Sequence, residues 1–379
     1  MGPFELVIPT LFGLEGICAD ELRRLGMEEV RAENGRAICA GTPQSLVRAN
    51  LCLRTGERVL LRLAAFPAAD FDALFDNARL VPWESFIPAD GAFPVKAGHS
   101  LDSRLTSIPA IQRTIKKAAA ERLGRVYHQQ RLPEAGPIYE IHFSLMKDRC
   151  ELFLDTTGPG LHKRGYRQQG VAAPLRETLA AGMVLLSRYR GKDPFRDPFC
   201  GSGTIPIEAA LIAKNRAPGL GRGFAAQSWT TLDKALWTQE RERTRGQEFS
   251  GTYDIQGADI DPQAVALAQS NAQKAGVTEL VRFSVADAAR FSPDADRGRV
   301  VTNPPYGERL MERREAEELY AAFGRAWRKV PPGWSLYLLS SHTELERTFG
   351  KKADKKRKLY NGMLKCDLFQ YLGTGGTAR

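Results

Sequence analysis

The second half of the chain alternates apolar runs with amphipathic stretches, and this alternation constrains the fold more than any other feature. The apolar runs predict strands that end in FRDPFC, YDIQGADI, VRFSVAD and RVVTNPPY, and another at 334–340. The stretches between them predict helices over 174–190, 204–214, 262–275 and 315–329. Strands separated by helices pair in parallel, so we expect a doubly wound α/β sheet, with a hairpin at its end.

The first half has a different pattern. Strands are predicted at 4–9, 36–40 and 58–64, with helices over 14–25 and 43–54 between them. This order indicates a small α+β domain with an antiparallel sheet. There follow a helical stretch at 70–90, a strand at 93–100, a helix at 108–123 and strands at 138–146 and 149–155. The Gly- and Arg-rich segment 157–170 then indicates a linker to the second half.

Composition limits the class of protein. Hydrophobic residues make up 43% and charged residues 26% of the 379, as in folded globular proteins. The chain has 54 Lys and Arg against 44 Asp and Glu, a net charge of +10. This excess favours a polyanionic partner without requiring one.

Several kinds of site and segment are disfavoured. The six cysteines include no C-x-x-C pair, so we expect no zinc site and no other metal. No apolar run approaches the roughly 20 residues of a membrane helix. The first residues carry acids at Glu5 and Glu15 and lack the basic region of a signal peptide. We therefore expect a cytoplasmic protein with no membrane partner.

A glycine turn follows the first strand of the second half. In DPFCGSGTIPIEAA, Asp197 ends the strand, and Gly201 and Gly203 lead into a helix whose amino terminus attracts an anion. A P-loop would need Gly-Lys-Ser/Thr here, and a dinucleotide fingerprint would need a third glycine where Pro206 stands. The remaining candidate ligand is S-adenosylmethionine, whose carboxylate would use the amides of 201–204.

Acidic residues also end the next two strands. Asp259 lies in GADIDP and Asp287 in VADAARF. Because ligands bind at the carboxyl ends of the strands in such sheets, the three acids are expected to share one site. Asp197 would face the ammonium group, Asp259 the ribose hydroxyls and Asp287 the adenine amino group. For any one of them alone, an ordinary loop or cap position is the alternative.

The fourth strand ends in Asn303-Pro304-Pro305-Tyr306. Proline restricts the residue before it and has no competing N–H, so the Asn303 side-chain oxygen and the Pro304 carbonyl are held as two acceptors. Two acceptors suit an –NH₂ group and favour a more tetrahedral nitrogen that can attack a methyl group. Tyr306 offers a surface for an extruded base, worth about 1–3 kcal/mol. The alternative is a proline turn capped by a buried tyrosine.

These motifs resemble those of a known family. DPFCGSGTIPIEAALIAKNRAPG, GADIDPQAV and TNPPYGERL are similar to motifs of the bacterial THUMP-domain class I RNA methyltransferases. Among these, the enzymes that make N2-methylguanine in 23S ribosomal RNA are most similar, together with shorter relatives often labelled N6-adenine-specific DNA methylases. LHKRGYR, APLRETLAA, IPAIQRTIKKA and KRKLYNGMLKC extend the resemblance over most of the chain.

The resemblance implies a division of the chain and a set of binding residues. The division is a ferredoxin-like α+β domain (1–65), a THUMP RNA-binding domain (66–156), a linker (157–173) and a class I, Rossmann-like methyltransferase domain (174–379). Candidate residues for S-adenosylmethionine are Asp197, Cys200, Gly201, Gly203, Thr204, Asp259, Ile260 and Asp287. Candidate catalytic residues, which would hold the target base, are Asn303, Pro304, Pro305 and Tyr306.

Basic residues become candidate RNA contacts once a nucleic acid is expected. The candidates are Lys116, Lys117, Lys163, Arg164, Arg167, Lys355, Lys356 and Arg357. The alternative for each group is a solvated helix face, a polar linker or a solubilising loop. The segment 214–250, which contains Trp229 and Trp237, either gates the site or packs as scaffold.

The expected activity is methylation of an exocyclic amino group in RNA, namely guanine N2 of 23S ribosomal RNA, as a step of ribosomal RNA processing. The choice of guanine over adenine is implied by the resemblance alone, because two acceptors would bind the N6 amino group of adenine equally well. The alternatives are adenine N6 in RNA or DNA, guanine N2 in transfer RNA and a glutamine side chain. A rival from another class is a non-catalytic RNA-binding protein that has kept the fold.

Overall fold

The computed structural model describes residues 4–167, 175–306 and 313–374. Its strands are β1 Phe4–Pro9, β2 Arg31–Glu33, β3 Arg36–Gly41, β4 Leu60–Pro67, β5 Val95–Leu101, β6 Ile141–Met146, β7 Arg149–Asp155, β8 Phe195–Asp197, β9 Ile255–Asp259, β10 Val281–Val285, β11 Arg297–Thr302, β12 Gly333–Ser340, β13 Lys355–Asn361 and β14 Leu364–Tyr371. Its helices are α1 Glu15–Arg24, α2 Pro43–Cys52, α3 Phe71–Leu80, α4 Ile108–Val126, α5 Glu177–Leu186, α6 Thr204–Ala213, α7 Ala235–Gly246, α8 Pro262–Ala275, α9 Arg313–Trp327 and α10 Leu345–Phe349. Within the described ranges, no helix has the length and apolar character needed to span a bilayer.

The chain divides into two compact units. The first contains Met1–Pro9, Ala19–Leu161 and Arg222–Arg243, and the second contains Thr10–Cys18, His162–Gly221 and Thr244–Arg379. Each unit has its own seven-stranded sheet. Of the predicted linker, 168–173 falls outside the described residues.

The sheet of the first unit is continuous through both predicted amino-terminal domains. Its order is β2-β3-β1-β4-β7-β6-β5, antiparallel except for the parallel pair β5 and β6. The pairing of β4 with β7 makes the connection, and the predicted boundary at 65/66 falls inside β4. On α4, within the predicted helix 108–123, Ile111, Ile115 and Ala118 are buried at helical spacing.

The segment Arg222–Arg243 packs within the first unit, so here the scaffold interpretation applies. The Trp229 ring stacks on Tyr139 with 4.8 Å between centroids. Glu240 is buried and accepts hydrogen bonds from the Arg48 guanidinium at 2.9 and 3.1 Å. The sequence alone does not predict these contacts, because the partners are far apart in the chain. Trp229 follows Tyr139 by 90 residues, and Glu240 follows Arg48 by 192 residues.

The second unit contains the predicted parallel sheet. Its order is β10-β9-β8-β11-β12-β14-β13, in which β14 runs antiparallel to β12 and β13 antiparallel to β14. The chain winds outward from β8 to β10 and then returns to β11 on the other side of β8. The crevice at the carboxyl ends of β8 and β11 is therefore the topological switch point, where such sheets bind ligands.

Both faces of this sheet are covered by helices. Val301, Tyr337 and Leu339 belong to one buried cluster, together with side chains of α5 and α6. Their strand neighbours Val300 and Leu338 belong to the other cluster, with side chains of α9. Successive strand residues point to opposite faces, so this division is the expected result of a sheet buried on both sides.

The hairpin differs from the prediction at its start. Lys355–Lys358, for which a solubilising loop was the alternative to RNA contact, lie in β13, and this strand pairs with β14 from Lys355 opposite Gln370 to Asn361 opposite Leu364. Lysine is compatible with this position because β13 is an edge strand, where charged side chains protect the free edge. The Lys356 stem also lies along the sheet, with its Nζ 5.7 Å from the Phe369 ring centroid.

Candidate functional site

The glycine turn joins β8 to α6 and is fixed by backbone hydrogen bonds. The Cys200 N–H donates to the Ala258 carbonyl at 2.8 Å, and the Gly203 N–H donates to the Cys200 carbonyl at 2.8 Å. Gly201 has φ +50° with open space where a Cβ would point. Gly203 has φ +81°, and a Cβ there would lie 2.8 Å from the Ala268 Cβ on α8. Gly203 thus permits close packing, whereas Gly201 leaves room for a ligand.

Asp197 is the most deeply buried acid at this edge of the sheet. Its Oδ1 accepts hydrogen bonds from the Thr302 hydroxyl at 2.6 Å and from the Phe199 N–H at 3.2 Å. Its Oδ2 is buried and has no partner among the described residues. Burial raises the pKa of Asp197 to about 7, against the lowering effect of the Thr302 hydrogen bond. A cation placed beside Oδ2 would restore the carboxylate form.

Asp259 holds the glycine turn against β9. Its Oδ2 accepts from the Gly201 N–H at 2.9 Å, and its Oδ1 accepts from the Asp261 N–H at 3.0 Å. The adjacent Ile260 is 69% exposed. An exposed isoleucine at a strand end is available to contact a flat apolar ligand surface.

The ends of β8, β9 and β10 border a cavity of about 550 Å³. Asp197, Ile260 and Asp287 line it, together with Phe291 and Pro293, which the sequence did not suggest. Asp287 also caps the turn after β10, because its Oδ1 accepts from the Ala289 N–H at 2.8 Å. The structure therefore brings three of the predicted cofactor residues to one cavity.

Five of the predicted cofactor residues are not part of the lining of this cavity, namely Cys200, Gly201, Gly203, Thr204 and Asp259. The Cys200 thiol is buried, and burial raises its pKa, so it is not a nucleophile. The Thr204 hydroxyl accepts from Arg167 at 2.6 Å.

These features fit S-adenosylmethionine. The unpartnered Oδ2 of Asp197 suits its ammonium group, the space at Gly201 suits close approach to the backbone, and the start of α6 suits its carboxylate. The cavity has the size and the mixed lining of a small-molecule pocket.

The Asn-Pro-Pro-Tyr turn follows β11 directly. Thr302, the last residue of β11, joins this turn to Asp197 across the switch point. The Tyr306 hydroxyl donates to Asn303 Oδ1, and the hydroxyl of the buried Tyr320 donates to the Pro305 carbonyl at 2.6 Å. One of the two predicted acceptors is therefore engaged by the neighbouring tyrosine. The residues that follow, 307–312, lie outside the described part of the chain.

Tyr306 is partly buried rather than free. It packs against the cluster that contains the side chains of α5 and α6. Burial raises the pKa of the Tyr306 hydroxyl well above its usual value, Cys366 raises it further, and a hydrogen bond with Asn361 lowers it. The phenol therefore stays protonated at neutral pH and keeps its capacity to donate.

Sequence reasoning missed three residues that support this site. Thr302 and Tyr320 are described above, and the third is Asn271 on α8. The buried Asn271 donates from Nδ2 to the Ser202 carbonyl at 2.9 Å, which fixes the glycine turn from behind. A signal existed, because Asn271 is a polar residue on the face of α8 that buries Val265 and Ala268.

Two of the predicted RNA contacts in the linker have other partners. Arg164 is buried, and its Nε lies 3.4 Å from Glu208 Oε1 on α6. The expectation that Arg164 meets an RNA phosphate is therefore wrong for this conformation, because the side chain is enclosed and ion-paired. Arg167 is half-buried and donates to Thr204 and to the Leu175 carbonyl. Lys163 is exposed.

The basic residues of β13 are placed on the surface of the second unit. Lys355 is exposed, and the Lys356 Nζ lies 2.7 Å from the Glu346 carboxylate. The Arg357 guanidinium donates to the Gly13 carbonyl at 2.7 and 3.0 Å, so it anchors the segment 10–18. Of the three, Lys355 has the most freedom to meet a phosphate.

In the first unit, α4 and β5 border an open groove of about 690 Å³. Arg113, Lys116 and Lys117 line it. The Lys116 Nζ lies 2.6 Å from Glu134 and 3.4 Å from the Phe93 ring centroid, and burial lowers its pKa. Lys117 is exposed, so the groove presents a net basic surface.

A group of side chains with metal-ligand chemistry also lies in the first unit. The ligand atoms of Glu140, His142 and Asp155 lie within 4.8 Å of one another. Arg58 forms an ion pair with Asp155, and Lys96 Nζ lies 3.4 Å from Glu140. These two cations already balance the carboxylates, which disfavours a metal ion there.

Comparisons with known proteins identify the parts of the chain. Residues 164–370 match the RMKL-like methyltransferase domain. Residues 5–60 match the RlmL ferredoxin-like domain, and residues 68–155 match the THUMP domain. The expected fold class, with ferredoxin-like and THUMP domains before a Rossmann-like methyltransferase domain, is confirmed.

Individual relatives agree with this. The chain is 42% identical over 377 residues to "Putative RNA methyltransferase YpsC" of Bacillus subtilis, covering 98% of this chain and 96% of that protein. It is 35% identical to "Ribosomal RNA large subunit methyltransferase K/L" of Psychromonas ingrahamii, covering 96% of this chain and 49% of that protein. The chain thus spans about half the length of that relative.

A solved structure extends the comparison to the cofactor. "Crystal structure of SMU.472, a putative methyltransferase complexed with SAH" has a TM-score of 0.93 and 39% identity, with 99% of each chain covered. SAH is S-adenosylhomocysteine, the product of S-adenosylmethionine after methyl transfer. The chain therefore belongs to the RMKL-like family of THUMP-domain RNA methyltransferases, enzymes that depend on S-adenosylmethionine.

Proposed function

We propose that this enzyme methylates the N2 amino group of a guanine in 23S ribosomal RNA, in the cytoplasm. The observation that carries the proposal is the hydrogen bond between Thr302 and Asp197. It joins the Asn-Pro-Pro-Tyr turn to the acid that lines the cofactor cavity, so the candidate amine acceptors and the candidate methyl donor meet at one switch point. The choice of large-subunit ribosomal RNA follows the name of the K/L relative, and the choice of guanine N2 follows the resemblance described in the sequence analysis.

The cofactor residues act by binding and orientation. Asp197 would bind the ammonium group through Oδ2, the start of α6 would bind the carboxylate, and Ile260 and Asp287 would bind the adenosine. S-adenosylmethionine supplies a methyl group on a positively charged sulfur when it is bound. The protein contributes placement of this group beside the amine, which is the main source of catalysis in a direct transfer.

The amine side acts through acceptors. Asn303 Oδ1 and the Pro304 carbonyl would each accept one N–H of the target amino group, and the proline φ angles keep them in place. Asn303 Oδ1 already accepts a hydrogen bond from the Tyr306 hydroxyl. An amide oxygen has two lone pairs, so the amine would either use the second one or take the place of this hydroxyl.

RNA binding would use the exposed basic residues of both units. In the first unit these are Lys117 and Arg113 beside the groove at α4. In the second unit these are Lys355 and Lys163. Phosphate contacts of this kind supply affinity without sequence information, so the choice of nucleotide would be made at Asn303 and Tyr306.

Adenine N6 is the second candidate, because one similar structure is called "a predicted N6-adenine-specific DNA methylase from Listeria monocytogenes str. 4b F2365". Mass spectrometry of nucleosides from ribosomal and transfer RNA of a deletion strain separates the candidates. We expect one N2-methylguanosine to disappear from 23S ribosomal RNA and to return with the wild-type gene. Loss of N6-methyladenosine, or loss confined to transfer RNA, would contradict the proposal.

A further inference from the structure

The β13–β14 hairpin ends in an exposed methionine. Asn361 pairs with Leu364, so Gly362 and Met363 form a two-residue turn, and Gly362 has the φ of +65° that such a turn requires. Met363 is 98% exposed, the highest value among the large hydrophobic side chains of the described residues. A side chain of this kind at the tip of a tight hairpin gives nothing to the core.

The tip lies at the same edge of the sheet as the candidate site. Ser340, at the carboxyl end of β12, pairs with Asp367 near the start of β14. Since β12 runs parallel to β11, the carboxyl ends of both strands and the start of β14 share one edge. The Tyr306 hydroxyl also interacts with Cys366 and Asn361, which lie on either side of the turn. The end of the hairpin that carries Met363 therefore lies beside the Asn-Pro-Pro-Tyr turn.

Cations and an aromatic ring lie on the two strands that lead to this tip. Lys365 is exposed two residues after Met363, and Lys358 is exposed on β13 opposite Asp367. Lys365 is the cross-strand partner of Tyr360, whose ring meets the Phe12 ring edge-on at 5.8 Å. Phe12 is 49% exposed, and the Arg357 guanidinium holds its neighbour Gly13 in place. An apolar tip flanked by lysines and aromatic rings suits stacked bases between phosphates, not an apolar protein partner.

We propose that Met363 is a wedge that enters the base stack of the RNA and fills the space left by the extruded target nucleotide. The inference rests on the proposed function, because only a base taken out of a stack leaves such a space. An enzyme that acts on an amino group inside a helix must extrude the nucleotide, and inserted apolar side chains offset the cost of unstacking. Methionine is unbranched and flexible, so it can enter between bases, while Lys358 and Lys365 hold the flanking phosphates.

The test compares two forms of one RNA. The first is ribosomal RNA from a deletion strain, folded in magnesium buffer. The second is a short single strand with the target nucleotide, whose position is mapped by mass spectrometry of nuclease fragments of the RNA. We expect Met363→Ala to lower kcat about tenfold on the folded RNA and to leave it within about twofold on the single strand. Met363→Leu should restore most of the rate on the folded RNA.

Controls separate the wedge from a structural role. Calorimetric binding of S-adenosylmethionine should be the same for Met363→Ala and wild type. Met146→Ala is a matched control, because Met146 is an exposed methionine before the β6–β7 turn of the other unit. It should keep the wild-type rate on both RNAs.

The outcomes are distinct. Equal rates of wild type and Met363→Ala on folded RNA would overturn the wedge and leave the proposed function standing. An equal loss on folded and single-stranded RNA would also overturn it, since the methionine would then act on something other than stacking. If wild type binds S-adenosylmethionine but methylates neither RNA, the proposed function fails and the wedge fails with it.

Discussion

The cofactor side and the amine side of the candidate site differ in how far they are preorganised for their ligands. On the cofactor side, Asp259 fixes the glycine turn through Gly201, Asn271 fixes it through Ser202, and Asp197 keeps one buried oxygen free. On the amine side, Asn303 is engaged by Tyr306 and the hairpin tip is exposed. The cofactor side is therefore preorganised, whereas on the amine side the acceptor oxygen of Asn303 is shared with an internal donor.

The largest expected effect is on methyl transfer, with no change in cofactor binding. Asn303→Ala should lower methyl transfer about a hundredfold to a thousandfold, because it removes a fixed acceptor from the reacting amine. S-adenosylmethionine binding, measured by calorimetry, should stay at the wild-type value. Asn77→Ala, which removes an asparagine on α3 of the first unit, is the matched control. Weakened cofactor binding in Asn303→Ala would show that the two sides are not independent.

The next largest effect is expected on the cofactor side, from substitution of Asp197. Asp197→Asn should weaken S-adenosylmethionine binding about tenfold to a hundredfold, because it removes a buried charge-assisted hydrogen bond. The pKa of Asp197 is raised to about 7, so the protonated acid predominates below pH 7 and the carboxylate above it. Wild-type affinity should therefore rise as the pH increases from 6 to 8.

The same pH range supplies the control for this prediction. Asp197→Asn should lose the pH dependence, since the amide does not titrate. Asp261→Asn, in which the asparagine can still cap α8, should keep both the affinity and the pH dependence. A wild-type affinity that is flat from pH 6 to 8 would contradict the assigned contact with Asp197 Oδ2.

Tyr306 tests the amine side with a smaller change. Tyr306→Ala should raise the KM for RNA about tenfold by loss of stacking. Tyr306→Phe keeps the ring and removes only the hydroxyl that occupies Asn303, so its rate should stay within about threefold of wild type. Steady-state kinetics with both variants would show whether the hydroxyl has a part in the reaction. A KM for RNA as high in Tyr306→Phe as in Tyr306→Ala would refute the stacking role.

The smallest effect concerns the surface lysines of β13. Lys355→Ala should lower the slope of log affinity against log salt by about 1, the value for one phosphate contact. Lys356→Ala should change it less, because Lys356 is already paired with Glu346. Filter binding of ribosomal RNA between 50 and 200 mM salt, roughly the range over which such contacts weaken, would measure both slopes. Equal slopes for Lys355→Ala and wild type would leave Lys355 as solvated surface.

The sequence predicted much of the second unit because its signals are local. The predicted helix 262–275 agrees with α8, and Asp197, Asp259 and Asp287 each lie at the end of a strand or within two residues of it. Their roles in binding remain predictions, yet their common location follows from strand order alone. Apolar runs and acids at strand ends can be identified from the local sequence, without knowing which residues they contact in the fold.

What the sequence did not predict depends on distant partners. Arg164 was predicted as a phosphate contact because its partner Glu208 lies 44 residues further along the chain and cannot be identified from the local sequence. The strand conformation of residues 355–358 was not predicted, because it comes from pairing with β14 and not from their own propensity. Thr302 was not predicted as a site residue, since its contact with Asp197 spans 105 residues.

The account is tested most directly by one assay of purified wild type and Asn303→Ala. Both would be incubated with labelled S-adenosylmethionine and ribosomal RNA from a deletion strain, and the nucleosides would be identified by mass spectrometry. We predict labelled N2-methylguanosine with wild type, about a hundredth of that amount or less with Asn303→Ala, and equal cofactor binding by both proteins. Label on any other nucleoside, or N2-methylguanosine formed by Asn303→Ala at the wild-type rate, would contradict the proposed function.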